Sequence, residues 1–336
     1  MYMNTILRSG IALNMITVSL CFASCSKSGS QQTPEPSPPA VDSSTYQADP
    51  TVFFDNGTYY LYGTNDVAPD NGIKVFTSSD RKIWYSPSSI SDGMALRKQE
   101  SFGNAGFWAP QVFKYNGKYY MAYVADQQIA IASGSSPLGP FYAKDLIVFN
   151  QKNIDPFVFI DDDNKKYLFH VDITNGNKIY VAEMNDDFSA VKLDTRTLCI
   201  TATEPWEIIK DKVAEGPTVL KHNGLYYLIY SANNYVSQSY AVGYATSKSI
   251  YGPWEKYSGN PVLSMQNTGK PGTGHGDIFY DKSGQMCYVF HTHNSGTTIT
   301  PRRTAIVKAN FEKDNAGGND ILVMDVNSLY YLKTAK

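Results

Sequence analysis

The chain of 336 residues is short of charge. Asp, Glu, Lys and Arg make up 18% of it, and the formal net charge is -2. That composition supplies no basic field for nucleic acid. Cysteine is scarce as well: there are four, and beyond the first 25 residues only Cys199 and Cys287 remain. A disulfide framework is thereby excluded. Whether these two pair stays open, because sequence spacing alone does not bring two Cβ atoms together. No Cys and His stand at zinc-ligand spacing, and no glycine-rich phosphate loop occurs. Tryptophan is limited to four residues, and no Trp-Asp dipeptide is present. A scaffold propeller for protein partners would be expected to carry such blade signatures.

The N-terminal segment is of a different kind. Arg8 supplies a positive start, and the apolar run from Ile11 to Phe22 is too short to cross a bilayer as a helix. It ends in Phe22-Ala23-Ser24-Cys25, which resembles a bacterial lipoprotein signal, with Phe22 where Leu is the usual residue. The resemblance implies cleavage before Cys25, lipidation of its thiol and attachment in the cell envelope, periplasmic or outer-membrane bound. An ordinary secretory signal is the alternative. Residues 26–45 are rich in Ser, Gln and Pro and read as a tether. Residues 46–336 are left for one folded domain.

What that domain has in abundance is tyrosine, 25 in all, together with 25 glycines. Aromatic and β-branched side chains suit pleated sheet. Asn-Gly followed by Tyr-Tyr recurs within the hairpins centred on Gly57, Gly117 and Gly224; Asn164-Lys165 and Ser283-Gly284 occupy the same place in two more. Asn-Gly between apolar runs marks a tight hairpin, since both turn residues must take positive φ. Residues 57, 117, 165, 224 and 284 are separated by 60, 48, 59 and 60 residues. Each hairpin has a short apolar strand before it and another after it. Five four-stranded units at this period predict an all-β, five-bladed β-propeller. Loops are expected around 86–104, 232–240 and 264–274.

The first strand of each propeller blade lines the central channel. Asp49-Pro50, Asp155-Pro156 and Glu215-Gly216-Pro217 open such strands in blades one, three and four, so the three acids are expected at equivalent places around one mouth. Blade two has Ala109 there after Trp108, and blade five has Gly276-Asp277 after His275. Hydrolysis of a sugar acetal requires a protonated acid at the leaving oxygen and an ionised carboxylate on the opposite face. A third carboxylate near the acid raises its pKa. Asp before Pro is also an ordinary turn starter, so the argument rests on the trio rather than on any one member.

The motifs Ala48-Asp49-Pro50, Trp108-Ala109-Pro110, Ile154-Asp155-Pro156 and Glu215-Gly216-Pro217 resemble those of glycoside hydrolase family 43, across residues 46 to 333. The resemblance implies a five-bladed propeller that inverts configuration on arabinose- or xylose-containing glycans. By the same resemblance Asp49 is the general base, Glu215 the general acid and Asp155 the residue that orients the acid and raises its pKa. Thr273-Gly274-His275-Gly276 resembles the segment whose His faces an axial calcium, and Arg302 an arginine that reaches the substrate. Trp108 is expected to stack on sugar, and His291 to line the channel beside it. Partners are thus a glycan and a lipid anchor, and the protein is expected to be a monomer. The rival readings are a glycan-binding propeller without catalysis and a retaining enzyme, whose carboxylates would lie closer together.

Overall fold

The computed structural model describes residues 41–143, 147–149, 151–315 and 317–335. The signal segment, Cys25 and most of the expected tether lie outside the described residues.

Five strands form the inner ring: Ala48–Asp55, Trp108–Tyr115, Asn153–Ile160, Ala214–His222 and Gly274–Tyr280. Each contacts the next, and the last returns to the first. Every inner strand starts an antiparallel sheet that runs outwards. Blade three adds Lys166–Asp172, Lys178–Glu183 and Thr197–Thr201, and blade four adds Leu225–Ala232, Ala241–Ser247 and Glu255–Lys256. Blade five adds Met286–Thr292, Arg303–Glu312 and Ile321–Tyr331. Blade two adds Lys118–Ala125, Gln128–Gly134 and Phe141–Ala143. Blade one has only two further strands in its own sheet, Thr58–Thr64 and Phe76–Ser78.

The missing outer strand of blade one explains how the ring closes. Ile83–Trp84 follows Phe76–Ser78 and bridges back to it at Thr77 and Tyr85. It pairs with the C-terminal Lys333–Ala335, which in turn pairs with Val41–Ser44. Both ends of the described chain are therefore fastened at the seam between blades five and one. Strand pairing begins at Val41, ahead of the domain start expected at residue 46, because the chain ends close the propeller together. A second departure concerns residues 86–104. Met94–Ser101 is a strand, antiparallel to Gly72–Lys74 and parallel to Phe141–Ala143. It extends the edge of blade two. The 264–274 region likewise contains a single helical turn, Met265–Thr268.

Five apolar seams separate the blades. The Tyr-Tyr pairs after the hairpin turns feed them, because successive strand residues point to opposite faces. Tyr119 enters the seam between blades one and two while Tyr120 enters the next. Tyr226 and Tyr227 divide in the same way between the seams on either side of blade four. Burying such rings on both faces of every sheet is the main apolar stabilisation. Cys199 borders the seam between blades three and four and Cys287 lies in that between five and one; both are free thiols. No described helix is long and apolar enough to cross a membrane.

Candidate active site

At its outset each inner strand breaks register with its neighbour by a bulge. At the bulge one residue takes positive φ in every blade: Asp49 at 47°, Ala109 at 45°, Asp155 at 53°, Gly216 at 59° and His275 at 41°. These five positions are the true equivalents. Two expectations are corrected by this. Glu215 stands one residue earlier, at the place of Ala48, Trp108, Ile154 and Gly274. In blade five the bulge residue is His275, not Gly276-Asp277. The cause is local: a Cβ at Gly216 would lie 2.9 Å from the His275 ring. Blade four has no room for a side chain there, and its acid is displaced to the preceding residue.

The three carboxylates still meet in one cleft, of about 460 Å³. Asp49, Asp66, Trp108, Asp155, Asn177, Glu215, Tyr235, His275 and Arg302 all contribute to its wall. All three acids are buried, at 9%, 6% and 8% exposure for Asp49, Asp155 and Glu215, so their partners decide their charge.

Asp49 has a permanent cation. Arg302 Nη1 donates to its Oδ1 at 2.9 Å, and His275 Nδ1 lies 3.2 Å from the same oxygen. Burial alone would raise this carboxyl. The Arg302 guanidinium, with His275 and His291, overrides burial and holds it well below the usual carboxylate range. Asp155 has no such partner. It accepts the Gly216 N–H at 3.0 Å, with His275 Nδ1 3.9 Å away. Burial and the neighbouring Asp49 charge push it up to about 7. Glu215 is also raised to about 7, by burial and then by Asp155. Its two oxygens accept from uncharged donors, Tyr240 Oη at 2.8 Å and Asn177 Nδ2 at 2.7 Å. One cleft thus holds a carboxylate kept ionised and a carboxyl kept protonated up to neutrality, the division of labour that acid–base catalysis needs.

Arg302 is placed beside the acids in the cleft wall, with most of its donors held by carboxylates. Its Nε and Nη2 bind Asp66, at 3.1 and 2.8 Å, and Nη1 binds Asp49. Nη1 also stands 3.4 Å from His291 Nε2, and Nη2 is 3.4 Å from Asp49 Oδ2. A guanidinium has five N–H groups; four of them reach carboxylate oxygens, whereas His291 Nε2 carries the ring proton, because Nδ1 accepts the Asp49 N–H, and does not accept the fifth. Arg302 is the counter-ion of Asp49. His291, expected to line the channel, is fully buried behind Asp49, with Nδ1 3.1 Å from the Asp49 backbone nitrogen. It supports the bulge. Trp108 lines the cleft, with its ring against Gly106.

Asp277 lies deeper, in the channel, accepting from Thr51 at 2.7 Å and Thr218 at 3.4 Å. Burial raises it to about 6. It joins inner strands and is absent from the cleft wall. Sequence reasoning missed Asp66, Asn177 and Tyr240. None belongs to the repeated strand-start pattern: they come from loops and from the tops of outer strands, and no local signal marks them.

A ring of blades with a carboxyl held protonated and another held ionised in the wall of one cleft has the groups a glycoside hydrolase needs. Comparison with known proteins names the kind: the family model for glycosyl hydrolases family 43 matches residues 43–316, and the chain belongs to that family. It is a glycosidase that hydrolyses O-glycosyl compounds. Among solved structures, one described as an endo-1,4-beta-xylanase from Bacteroides thetaiotaomicron is 41% identical, with a TM-score of 0.80 over 87% of this chain and 98% of that one. A thermostable family-43 glycoside hydrolase is 37% identical, with a TM-score of 0.74 over 85% and 95%. An extracellular endo-alpha-(1->5)-L-arabinanase from Bacillus subtilis is 30% identical over 66% of this chain and 71% of its own.

Proposed function

We propose that the protein hydrolyses arabinose- or xylose-containing glycans with inversion, Glu215 acting as the general acid, Asp49 as the general base and Asp155 as the residue that keeps Glu215 protonated. The observation that carries this reading is the unequal pairing of the acids. Asp49 shares a guanidinium with Asp66, whereas Glu215 meets only neutral donors and a nearby carboxyl. In the reaction Glu215 gives its proton to the leaving glycosidic oxygen as the bond breaks. Asp49 takes a proton from a water on the opposite face of the sugar. Asp155 accepts the Gly216 N–H and so holds the turn immediately after the acid. Family relatives named for xylosidase, arabinosidase and arabinanase activity support the choice of sugars. Purified protein incubated with arabinosyl, xylosyl and galactosyl substrates, with the anomer of the first product read by NMR, tests the proposal. Retained configuration, or turnover of galactosides alone, overturns it.

The calcium implied at His275 is part of the same proposal, but the residues do not build a cage for it. Among the described residues no three His, Cys, Asp or Glu side chains are grouped to hold a metal. His275 Nδ1 faces Asp49. Calcium takes six to eight oxygens, so such an ion would rest chiefly on water, and no step of the reaction is routed through it. An unchanged melting temperature on chelation would remove it. We further propose a monomer tethered to the envelope through Cys25. Its support is the sequence pattern Phe22-Ala23-Ser24-Cys25. Replacing Cys25 by Ala should move the protein from the membrane to the soluble fraction, and persistent membrane association would contradict the tether.

A further inference from the structure

The pair of neutral donors around Glu215 goes beyond keeping the side chain in place. We propose that Asn177 and Tyr240 are positioning residues that direct the Glu215 proton into the cleft from Oε2 and stabilise the carboxylate as that proton leaves. The inference rests on Glu215 being the acid, and it concerns two residues outside the acid trio.

The two donors differ in setting. Tyr240 is fully buried and absent from the cleft wall, its ring stacked 5.8 Å from His291 at an interplanar angle of 12°. A Cβ at Gly274 would fall 2.2 Å from Tyr240 Cε1, so the glycine in that strand makes room for the ring. Burial and the Glu215 charge raise the Tyr240 phenol far above its ordinary value, and its proton is therefore always present to be donated to Oε1. Asn177 stands in the cleft wall. It is tied twice to the acid's own segment: its carbonyl accepts the Ala214 N–H at 3.1 Å, and its Nδ2 donates to Glu215 Oε2 at 2.7 Å.

An amide nitrogen has donors only. With Nδ2 on Oε2 and Tyr240 on Oε1, the carboxylic proton has neither of those directions open to it. A second lone pair remains on each oxygen; that of Oε2 is the one beside Asn177, a residue of the cleft wall, whereas Oε1 is turned to the buried Tyr240, and we place the transferable proton on Oε2. Both hydrogen bonds strengthen as Glu215 gains charge, because bonds to ionised acceptors are shorter and stronger than bonds to neutral ones. They therefore favour the transition state over the resting acid. They also pull the Glu215 pKa down against burial and Asp155, the direction in which Tyr240 and Asn177 act on it.

The test uses the full-length protein and two classes of substrate, one whose leaving group requires protonation and one whose leaving group does not. Asn177→Ala and Tyr240→Phe should each lower kcat/KM on the first class, by about tenfold or more for one lost bond to a charged group. Turnover of the second class should fall much less than that of the first. The alkaline limb of the pH profile should move to higher pH in both variants, and further in the double variant. Asn177→Asp, which puts an acceptor where a donor stood, should lose more than Asn177→Ala. Equal losses on both substrate classes with an unmoved alkaline limb would mean that the residues serve the fold alone. Glu215→Gln separates this outcome from failure of the parent reading. If Glu215→Gln spares only the substrates that need no proton while Asn177→Ala and Tyr240→Phe leave the limb unmoved, the present inference falls and the acid assignment stands. If Glu215→Gln keeps full activity on both classes, the acid assignment itself is wrong.

Discussion

The inner strands of blades one and three each have an aspartate at the cleft end and another at or just past the hairpin end. At the hairpin end of blade one, Asp55 accepts from Tyr119 Oη at 2.7 Å and pairs with Lys114 at 3.0 Å, both on blade two. Blade three repeats the arrangement against blade four, where Asp161 accepts from Tyr226 and pairs with Lys221 at 2.7 Å. Burial works to raise these carboxyls, but the phenol and ammonium donors prevail and both end below the ordinary value. At the cleft end the two aspartates part company: Asp49 is held low by Arg302, while Asp155, with no cation in hydrogen-bond reach, rises to about 7. Side-chain type and strand position are the same at both ends. What differs is that the hairpin end completes its pairs between blades, and the cleft end leaves one acid unpaired.

The largest expected contrast comes from removing one aspartate at each end of blade one. Asp49→Asn should cost about 10²–10⁴-fold in kcat on every substrate, since no base would remain to activate water. Asp55→Asn should leave turnover unchanged and lower the melting temperature slightly, as exposed ion pairs contribute little. A similar fall in activity for both variants would show that the two ends are not functionally distinct.

A smaller effect is expected in the pH profile. Turnover needs Asp49 ionised and Glu215 protonated. Asp49 stays ionised far into acid, so the low-pH limb should not fall at the ordinary carboxylate value. Glu215 loses its proton around 7, and kcat/KM should decline as pH rises through that region. An alkaline limb that appears only several units higher would place the proton donor elsewhere.

The same comparison shows how much of the molecule was legible in the sequence. Hairpin turns announce themselves through Asn-Gly, because Asn56 and Gly57 at φ 48° and 80° need residues that tolerate such angles. The period of those turns is enough to infer blades. Asp49, Asp155 and Glu215 were visible because they recur beside Pro or Gly-Pro. Their register was not, since the offset of Glu215 depends on a contact between Gly216 and His275, which lie 59 residues apart (275 minus 216). Arg302 was visible as a residue but not as a counter-ion: its engagement by Asp66 joins blade one to blade five, and neither stretch hints at the other. Sequence periodicity reports what repeats, and the cleft is the part of each blade that does not.

The smallest expected effect is in stability, where the two aspartates of blade three should act with opposite signs. Asp161 has a folded-state pKa below its unfolded value of about 3.8. It contributes stability above that pH and loses it as pH falls. Asp161→Asn should therefore melt below wild type at neutral pH, with the gap persisting to about pH 4 and closing only as pH falls below about 3.8. Asp155 is the reverse case. Its folded-state pKa of about 7 exceeds the unfolded value, so the folded protein holds a proton that the unfolded chain releases between about 4 and 7. Wild type loses stability across that window, and the loss is complete above it. Asparagine at residue 155 can still accept the Gly216 N–H and tolerates a φ of 53°. It carries no charge to be desolvated beside Asp49. Asp155→Asn should thus match wild type near pH 4 and melt above it at pH 7 and beyond, while turning over substrate more slowly. Melting curves of both variants at pH 4, 6 and 8 decide the matter. Shifts of the same sign at pH 8 would show that Asp155 is paired in the folded state after all, and that the cleft stores no strain of this kind.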